Sequence, residues 1–308
     1  MKPYTVAVRI VVAGIFLLLA ARSQAQIVRI DSLSNWRKAF KVGMNFNQAS
    51  FSSNWKGGGT NAVGFNALLN FKANYKKDRN SWDNEIDFLY GLVNNAGTGY
   101  RKTNDRLFMD TKYGYSLTSK WDLAASFNVL TQFAKGYTYS TGPTGVETAT
   151  LISDFFAPAF VTVALGFEYH PVEYFKVRIS PIAPRATIVN GVERFVTVDN
   201  PTPFGVTPPN SVRYEWLGAQ ILAEFNKDVM KNVNLKFRYL LFANYQELSG
   251  NRIDHRLDVN LTGRVNRFIN VNLTGIFLYD YDQDKAVQFS EGLSLGFLYT
   301  IQNFEEKK

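Results

Sequence analysis

Residues 62–75 read Ala-Val-Gly-Phe-Asn-Ala-Leu-Leu-Asn-Phe-Lys-Ala-Asn-Tyr, and the odd and even positions carry different chemistry. The odd set is Val63, Phe65, Ala67, Leu69, Phe71, Ala73 and Tyr75, whereas the even set includes Gly64, Asn66, Asn70, Lys72 and Asn74. Successive side chains of a strand point to opposite faces, so this alternation predicts one apolar and one polar face. An amphipathic helix would repeat its apolar residues every three or four positions instead.

The pattern recurs on both sides of that stretch. In 121–133, Trp121, Leu123, Ala125, Phe127, Val129 and Phe133 oppose Asp122, Ala124, Ser126, Asn128 and Gln132. In 233–245, Val233, Leu235, Phe237, Tyr239, Leu241 and Tyr245 oppose Asn234, Lys236, Arg238 and Asn244. The same test predicts strands over 38–47, 62–75, 82–93, 104–116, 121–133, 157–169, 174–183, 213–225, 233–245, 255–265, 270–281 and 287–301. The weakest is 174–183, where Pro181 and Pro184 interrupt the pattern. Apolar-out, polar-in strands of about 9–11 residues are the signature of a membrane barrel. The fold expected is therefore all-β: a transmembrane, antiparallel, up-and-down β-barrel of about 12 strands.

Connection lengths give an independent reading. Short links at 76–80, 117–120, 170–173, 226–232 and 266–269 alternate with longer ones at 48–61, 94–103, 134–156, 184–212 and 246–254, with 282–286 a short exception. Outer-membrane barrels have short periplasmic turns and longer external loops, which puts both termini in the periplasm. Aromatic residues make up 15% of the chain and fall at strand ends. Tyr75, Trp82, Trp121, Phe175, Phe225 and Phe268 mark one end, and Phe46, Phe133, Tyr245, Tyr281 and Phe289 the other, as two interfacial girdles would. Closing 287–301 on 38–47 removes the open edges that hydrocarbon does not tolerate.

The start of the chain reads as an export signal. Lys2 and Arg9 precede an apolar run from Ile10 to Ala20, and Ser23 and Ala25 form a small-x-small cleavage pattern. The organisation expected is a signal peptide over 1–25, a periplasmic segment over 26–37, the barrel over 38–301 and a periplasmic tail over 302–308. An uncleaved anchor is the rival reading, but roughly 11 apolar residues fall short of the ~20 needed to span a bilayer. Without cysteine there is neither a disulfide framework nor a site for a lipid anchor. Removing Lys2, Arg9 and Arg22 lowers the formal charge from +8 to +5. That mild excess suits outer-membrane lipid and lipopolysaccharide phosphates, whereas scattered basic residues on an exported chain argue against nucleic acid. No cofactor is implied.

The inward positions of the alternation define the lumen. Acids expected there are Asp83, Glu85, Asp87, Asp110, Asp122, Glu168, Glu224, Asp254, Asp258 and Asp280. Bases are Lys41, Lys72, Arg106, Lys112, Lys176, Arg178, Lys236, Arg238, Arg256 and Arg264, so ten face ten. Two readings stay open: charges paired across a filled interior, or acids and bases lining a narrow aqueous pore. Inward glycines at 43, 64, 91, 114, 166, 218, 292 and 296 are expected to widen the interior locally. Function then divides into a narrow channel for small polar or ionic solutes and a closed accessory barrel docking a protein partner through its external loops. Loop 184–212, with Pro201-Thr202-Pro203-Phe204 and Pro208-Pro209, is the candidate plug or docking surface.

Three local features each admit more than one reading. The triplet Asp83, Glu85 and Asp87 places carboxylates on one face, where neutralisation by neighbouring bases is the commoner outcome than a divalent cation. Gly57-Gly58-Gly59 offers backbone amides to an anion but more often permits a tight turn. A lipid-acting enzyme is a minor alternative, since catalysis by serine needs a base in reach and only His170 and His255 are available. Neither has a serine suitably spaced on its own face, so no catalytic residues are expected.

The stretch Asn54-Trp55-Lys56-Gly57-Gly58-Gly59-Thr60-Asn61, just before a long amphipathic strand, resembles an uncharacterised family of Bacteroidota outer-membrane barrels known as a domain of unknown function. The resemblance runs from about Trp36 to Phe304. It implies location and fold, marks Asn54, Trp55, Gly57, Gly58 and Gly59 as an external loop motif, and transfers no activity.

Overall fold

A computed structural model describes residues 26–28, 35–52, 60–198, 200–266 and 268–303. The expected signal peptide and the loop motif at Asn54, Trp55, Gly57, Gly58 and Gly59 lie outside the described residues. The strands in chain order are β1 (Gln26–Val28), β2 (Trp36–Ala49), β3 (Ala62–Lys77), β4 (Asn80–Asn95), β5 (Gly99–Ser116), β6 (Trp121–Thr131), β7 (Gly136–Thr141), β8 (Glu147–Ser153), β9 (Ala159–Val172), β10 (Phe175–Ile182), β11 (Arg185–Ile188), β12 (Val212–Glu215), β13 (Gly218–Met230), β14 (Val233–Asn244), β15 (Asp254–Arg264), β16 (Ile269–Asp280) and β17 (Asp284–Gln302).

Twelve of these close a ring. The order is β2-β3-β4-β5-β6-β9-β10-β13-β14-β15-β16-β17, each antiparallel to its neighbours. The ring shuts where β17 pairs with β2, from Leu295↔Phe46 to Gln302↔Ala39. β1 adds in parallel along Thr300–Gln302 of β17. The protein is thus a closed, antiparallel, 12-strand β-barrel. Among the described residues no helix is long and apolar enough to cross a membrane.

Burial is inverted relative to a water-soluble barrel. On β6, Trp121, Leu123 and Phe127 are 40–48% exposed, while Asp122, Ser126 and Asn128 are 3–6% exposed. The same inversion puts Phe40, Met44, Leu69, Ile86, Leu165 and Leu273 on the outside. Such an exterior is stable against hydrocarbon and not against water. Rings gather at its two rims. Trp36 lies 5.3 Å from Tyr75 and 6.1 Å from Trp82, and Trp121 lies 4.6 Å from Tyr169, all at the short-turn end. Phe88, Phe133 and Phe155 form edge contacts at 5.8 and 6.3 Å at the long-loop end.

Several expectations need correction at the connections. The segment 94–103 is not a long loop: Asn95 pairs with Gly99, and a tight turn uses Gly97 and Gly99 at positive φ. The stretch 213–225 is not one strand, because it breaks at Trp216-Leu217 between β12 and β13. β13 then runs on to Met230, and Asn232 turns the chain at φ 65°. The connection 134–156 contains the β7–β8 hairpin, a second two-stranded sheet at the loop end. Within 184–212, β11 and β12 pair with each other, and β11 continues the wall against β9. In the rest of that loop Val189, Val192, Phe195 and Val206 build a small core together with Ala157.

Two of the inward glycines, Gly91 and Gly296, do not widen the interior. A Cβ at Gly91 would collide with Asn66 Oδ1, and one at Gly296 with Asn45 Oδ1. Each glycine lies beneath an asparagine bridge that crosses its strand: Asn104 donates to Asn66 at 3.0 Å, and Asn272 donates to Asn45 at 3.1 Å. The missing side chain is filled by amides from neighbouring strands.

Candidate functional site

The polar faces of the strands meet inside the ring, and geometry makes their charges into one network. β4 and β14 stand six places apart in the ring of twelve, as do β5 and β15, so each pair is diametrically opposed. Arg238 on β14 nevertheless donates from Nη2 to Glu85 Oε2 on β4 at 2.6 Å. Arg106 on β5 donates from Nη1 to Asp258 Oδ1 on β15 at 2.9 Å. Two ion pairs therefore run straight across the lumen at mid-height, forming a charged waist.

Around these chords each charge finds a partner. Glu85 also has Lys72 at 3.5 Å, Lys236 at 3.7 Å and the Asn70 amide at 2.9 Å. Asp87 accepts from Arg106 Nη2 at 2.8 Å. Arg256 holds Asp258 through Nε and Nη2, both at 2.9 Å. Glu224 accepts from Arg238 at 2.7 Å and from Lys176 at 2.8 Å. A second cluster lies toward the turn end. There Lys112 bridges Asp83 and Glu168, and Arg178 grips Asp110 with two bonds at 3.0 and 3.1 Å.

The carboxylate triplet of β4 is neutralised by Lys112, Arg238, Lys72 and Arg106. No group of three or more metal-ligating side chains able to hold an ion occurs among the described residues. Arg178, Lys112 and Glu168 are 2–3% exposed. A buried charge is tolerable only when paired and hydrogen-bonded, and this interior meets that condition nearly throughout. The exceptions are Arg106 Nε in the waist, Arg101 Nε toward the loop end, and Asp122 Oδ1 and Ser126 Oγ toward the turn end, buried with no partner among the described residues. The other oxygen of Asp122 faces His170 Nε2 at 3.3 Å. Arg264 is not in the network: half exposed at the turn end, it meets Asp228 at 3.3 Å.

The sequence reading passed over part of the site. Asn70, Asn128 and Gln220 are 2–7% exposed inside the barrel, and Asn128 on β6 donates to Gln220 on β13 at 3.1 Å. All three sit on even positions, so the alternation that marked the charges marks them too. Arg185 was hidden in the predicted loop after Pro184. It donates to Glu215 at 2.7 Å and Asp254 at 2.6 Å, with its guanidinium 3.6 Å from the centre of the Phe242 ring. His255 turns outward, where its Nδ1 lies 2.7 Å from the Tyr239 hydroxyl.

Above the waist the lumen keeps open space. A cavity of about 120 Å³ is walled by Arg106, Leu240, Phe242, Arg256, Asp254 and Asp280, among others. Nearer the rim a wider basin of about 680 Å³ lies against Arg213, Glu247, Arg252 and Asp282.

A family described as a protein of unknown function, DUF3078, matches residues 46–137. The likeness is partial. It is narrower than the span from Trp36 to Phe304 suggested by the sequence, and it carries the description of no activity. No curated protein sequence matches the chain. Among solved structures, the COG4313 outer membrane channel from Pseudomonas putida F1 is similar at 13% identity and a TM-score of 0.39, over 88% of this chain and 96% of that one. The translocator domain of the autotransporter NalP from Neisseria meningitidis is similar at 8% identity and a TM-score of 0.38, over 86% and 88%. The NanC porin follows at 7% and 0.35, over 86% and 100%. At these values the fold assignment rests on the strand pairing of this chain itself.

Proposed function

We propose that this protein is an integral outer-membrane barrel that forms a narrow conduit for small polar or ionic solutes, shut at its waist in the conformation described. The observation that carries the reading is the pair of cross-lumen ion pairs, Arg238–Glu85 and Arg106–Asp258, each joining opposite walls. The polar, nearly charge-balanced lining supports small hydrophilic solutes over apolar ones. The short-turn end is assigned to the periplasm and the long-loop end to the outside, in keeping with barrels of this class.

Liposome swelling tests the reading. Proteoliposomes with the unaltered barrel are expected to swell no faster than empty ones in arabinose or glycine. The fourfold variant Glu85→Ala, Arg106→Ala, Arg238→Ala, Asp258→Ala is expected to admit both, since it deletes both chords at once. A folded variant that stays impermeable would sink the conduit reading. It would favour the second one, a closed accessory barrel with a protein partner at its loops. That alternative is supported by the projecting β7–β8 hairpin, whose Tyr137 and Val146 are 40% and 65% exposed.

A further inference from the structure

We propose that the cavity above the waist binds a small zwitterion whose ammonium and carboxylate are held apart by a short apolar chain, such as an ω-amino acid. The inference goes beyond the conduit reading and does not require the waist to open. It rests on the cavity having two poles of opposite sign with apolar wall between them.

The first pole is acidic. Register carries β15 against β16 through Arg256↔Leu278 and His255↔Tyr279, which sets Asp254 opposite Asp280 at the next step. Both carboxylates wall the cavity. Asp254 has Arg185 at 2.6 Å, but that guanidinium is shared with Glu215 at 2.7 Å. Asp280 is held by uncharged donors alone, the Gln283 amide at 2.6 Å and the Asp282 backbone N–H at 3.0 Å. Three carboxylates thus surround one guanidinium. Arg213 approaches Glu215 at 3.6 Å but is drawn to Asp282 and Glu247. An ammonium group seated between Asp254 and Asp280 would supply the missing positive charge.

The second pole is basic. Arg106 and Arg256 both wall the cavity and both donate to the single carboxylate of Asp258. Arg106 also reaches Asp87, which Lys236 approaches at 3.9 Å. Arg106 Nε has no acceptor among the described residues. Arg106 and Arg256 share Asp258, and the unmatched Nε of Arg106 leaves a donor for an incoming anion, guanidinium–carboxylate pairing being the strong, planar kind. Between the poles stand Leu130, Leu240 and Leu278.

Distance selects the ligand. Asp254 and Arg256 are two residues apart on one strand, about 7 Å at ~3.4 Å per residue. An α-amino acid carries its charges too close together to reach both poles, whereas 5-aminopentanoate spans them with methylenes against the leucines. The volume, about 120 Å³, is of the order of a cavity of ~150 Å³ that takes up benzene. Entry is from the outer basin, which the turn at 281–283 divides from the inner cavity, Asp282 lining the basin and Gln283 the cavity.

The test is titration calorimetry of the refolded protein with 5-aminopentanoate, pentanoate and pentylamine. Saturable one-to-one binding of 5-aminopentanoate is expected, with each single-charge analogue about tenfold weaker or more. Asp280→Asn is expected to erase the preference over pentanoate, and Arg256→Gln the preference over pentylamine. Equal binding of all three probes, no saturable heat from barrel that migrates as folded, or selectivity unchanged in both variants would overturn the proposal. Should a variant fail to fold, the selectivity of the unaltered barrel decides alone. Swelling and conductance report on the waist and not on this pocket, so either reading can fail without the other.

Discussion

Consider removing the chord between Arg238 and Glu85, one partner at a time and then together. The residues are 153 apart in sequence, on opposite walls, and their side chains are 8% and 11% exposed. Stranding one charge of a buried pair costs about 3–5 kcal/mol. Neither partner is left wholly alone here. Glu85 keeps Lys72 and Lys236 at 3.5 and 3.7 Å, and Arg238 keeps Glu224 at 2.7 Å. Arg238→Ala and Glu85→Ala are therefore each expected to cost about 2–3 kcal/mol, below that range. The double variant should cost less than their sum by about 1.5 kcal/mol or more, the coupling of a close charge pair. Reversible urea unfolding in lipid vesicles, followed by tryptophan fluorescence, measures all four corners of the cycle. The rim pair Arg264–Asp228, at 3.3 Å and half exposed on both sides, is the control and should couple by no more than about 0.5 kcal/mol. Additivity within ~0.5 kcal/mol at Arg238 and Glu85, or equal coupling at the rim, would refute the waist as a cross-barrel tie.

Leu273 faces outward at mid-strand on β16, so Leu273→Arg should destabilise the vesicle-embedded barrel by about 2–4 kcal/mol in the same urea assay, with no such loss in Leu248→Arg on the exposed loop. Gly296→Val drives a side chain into Asn45 and Asn270 and should abolish the heat-modifiable folded band, whereas Gly263→Ala, whose nearest neighbour atom is 3.9 Å away, should keep it. Asp154 straps the long loop by accepting from Arg194 at 2.6 Å. Burial works to raise its pKa, but bonds from Arg194 and the Phe155 N–H outweigh this and lower it. A depressed carboxylate pKa stabilises above the unfolded value of 3.8 and is lost as pH falls through the folded one, so hydrogen-exchange protection of 190–195, corrected for intrinsic rate, should drop only below that range and be insensitive to pH in Asp154→Asn.

The alternation of residues such as Trp121 to Asn128 carried the architecture because a barrel wall is two-faced along every strand, and each face imposes its own chemistry. Where pairing relies on backbone alone the signal fades. Asn94 to Lys102 pairs through main-chain bonds around Gly97 and Gly99, and nothing in its side chains alternates cleanly enough to separate it from a loop. Tyr137, Thr138, Tyr139 and Ser140 do alternate, but over too few residues to separate β7–β8 from the long loop read at 134–156. For the site, charges on the polar face of each strand, such as Glu85 and Arg238, could be placed inside. Their pairing could not, because which strands face each other depends on ring closure and stagger. Arg185 escaped because Pro181 and Pro184 mask a wall that bends and continues as β11.

The central claim is a lumen closed by ion pairs, and single-channel recording in a planar bilayer tests it most directly. The refolded, unaltered barrel is expected to give a silent bilayer at neutral pH and low voltage, while the fourfold waist variant gives discrete, reproducible steps. Standing, voltage-independent conductance steps from the unaltered barrel would contradict a waist closed by Arg238–Glu85 and Arg106–Asp258.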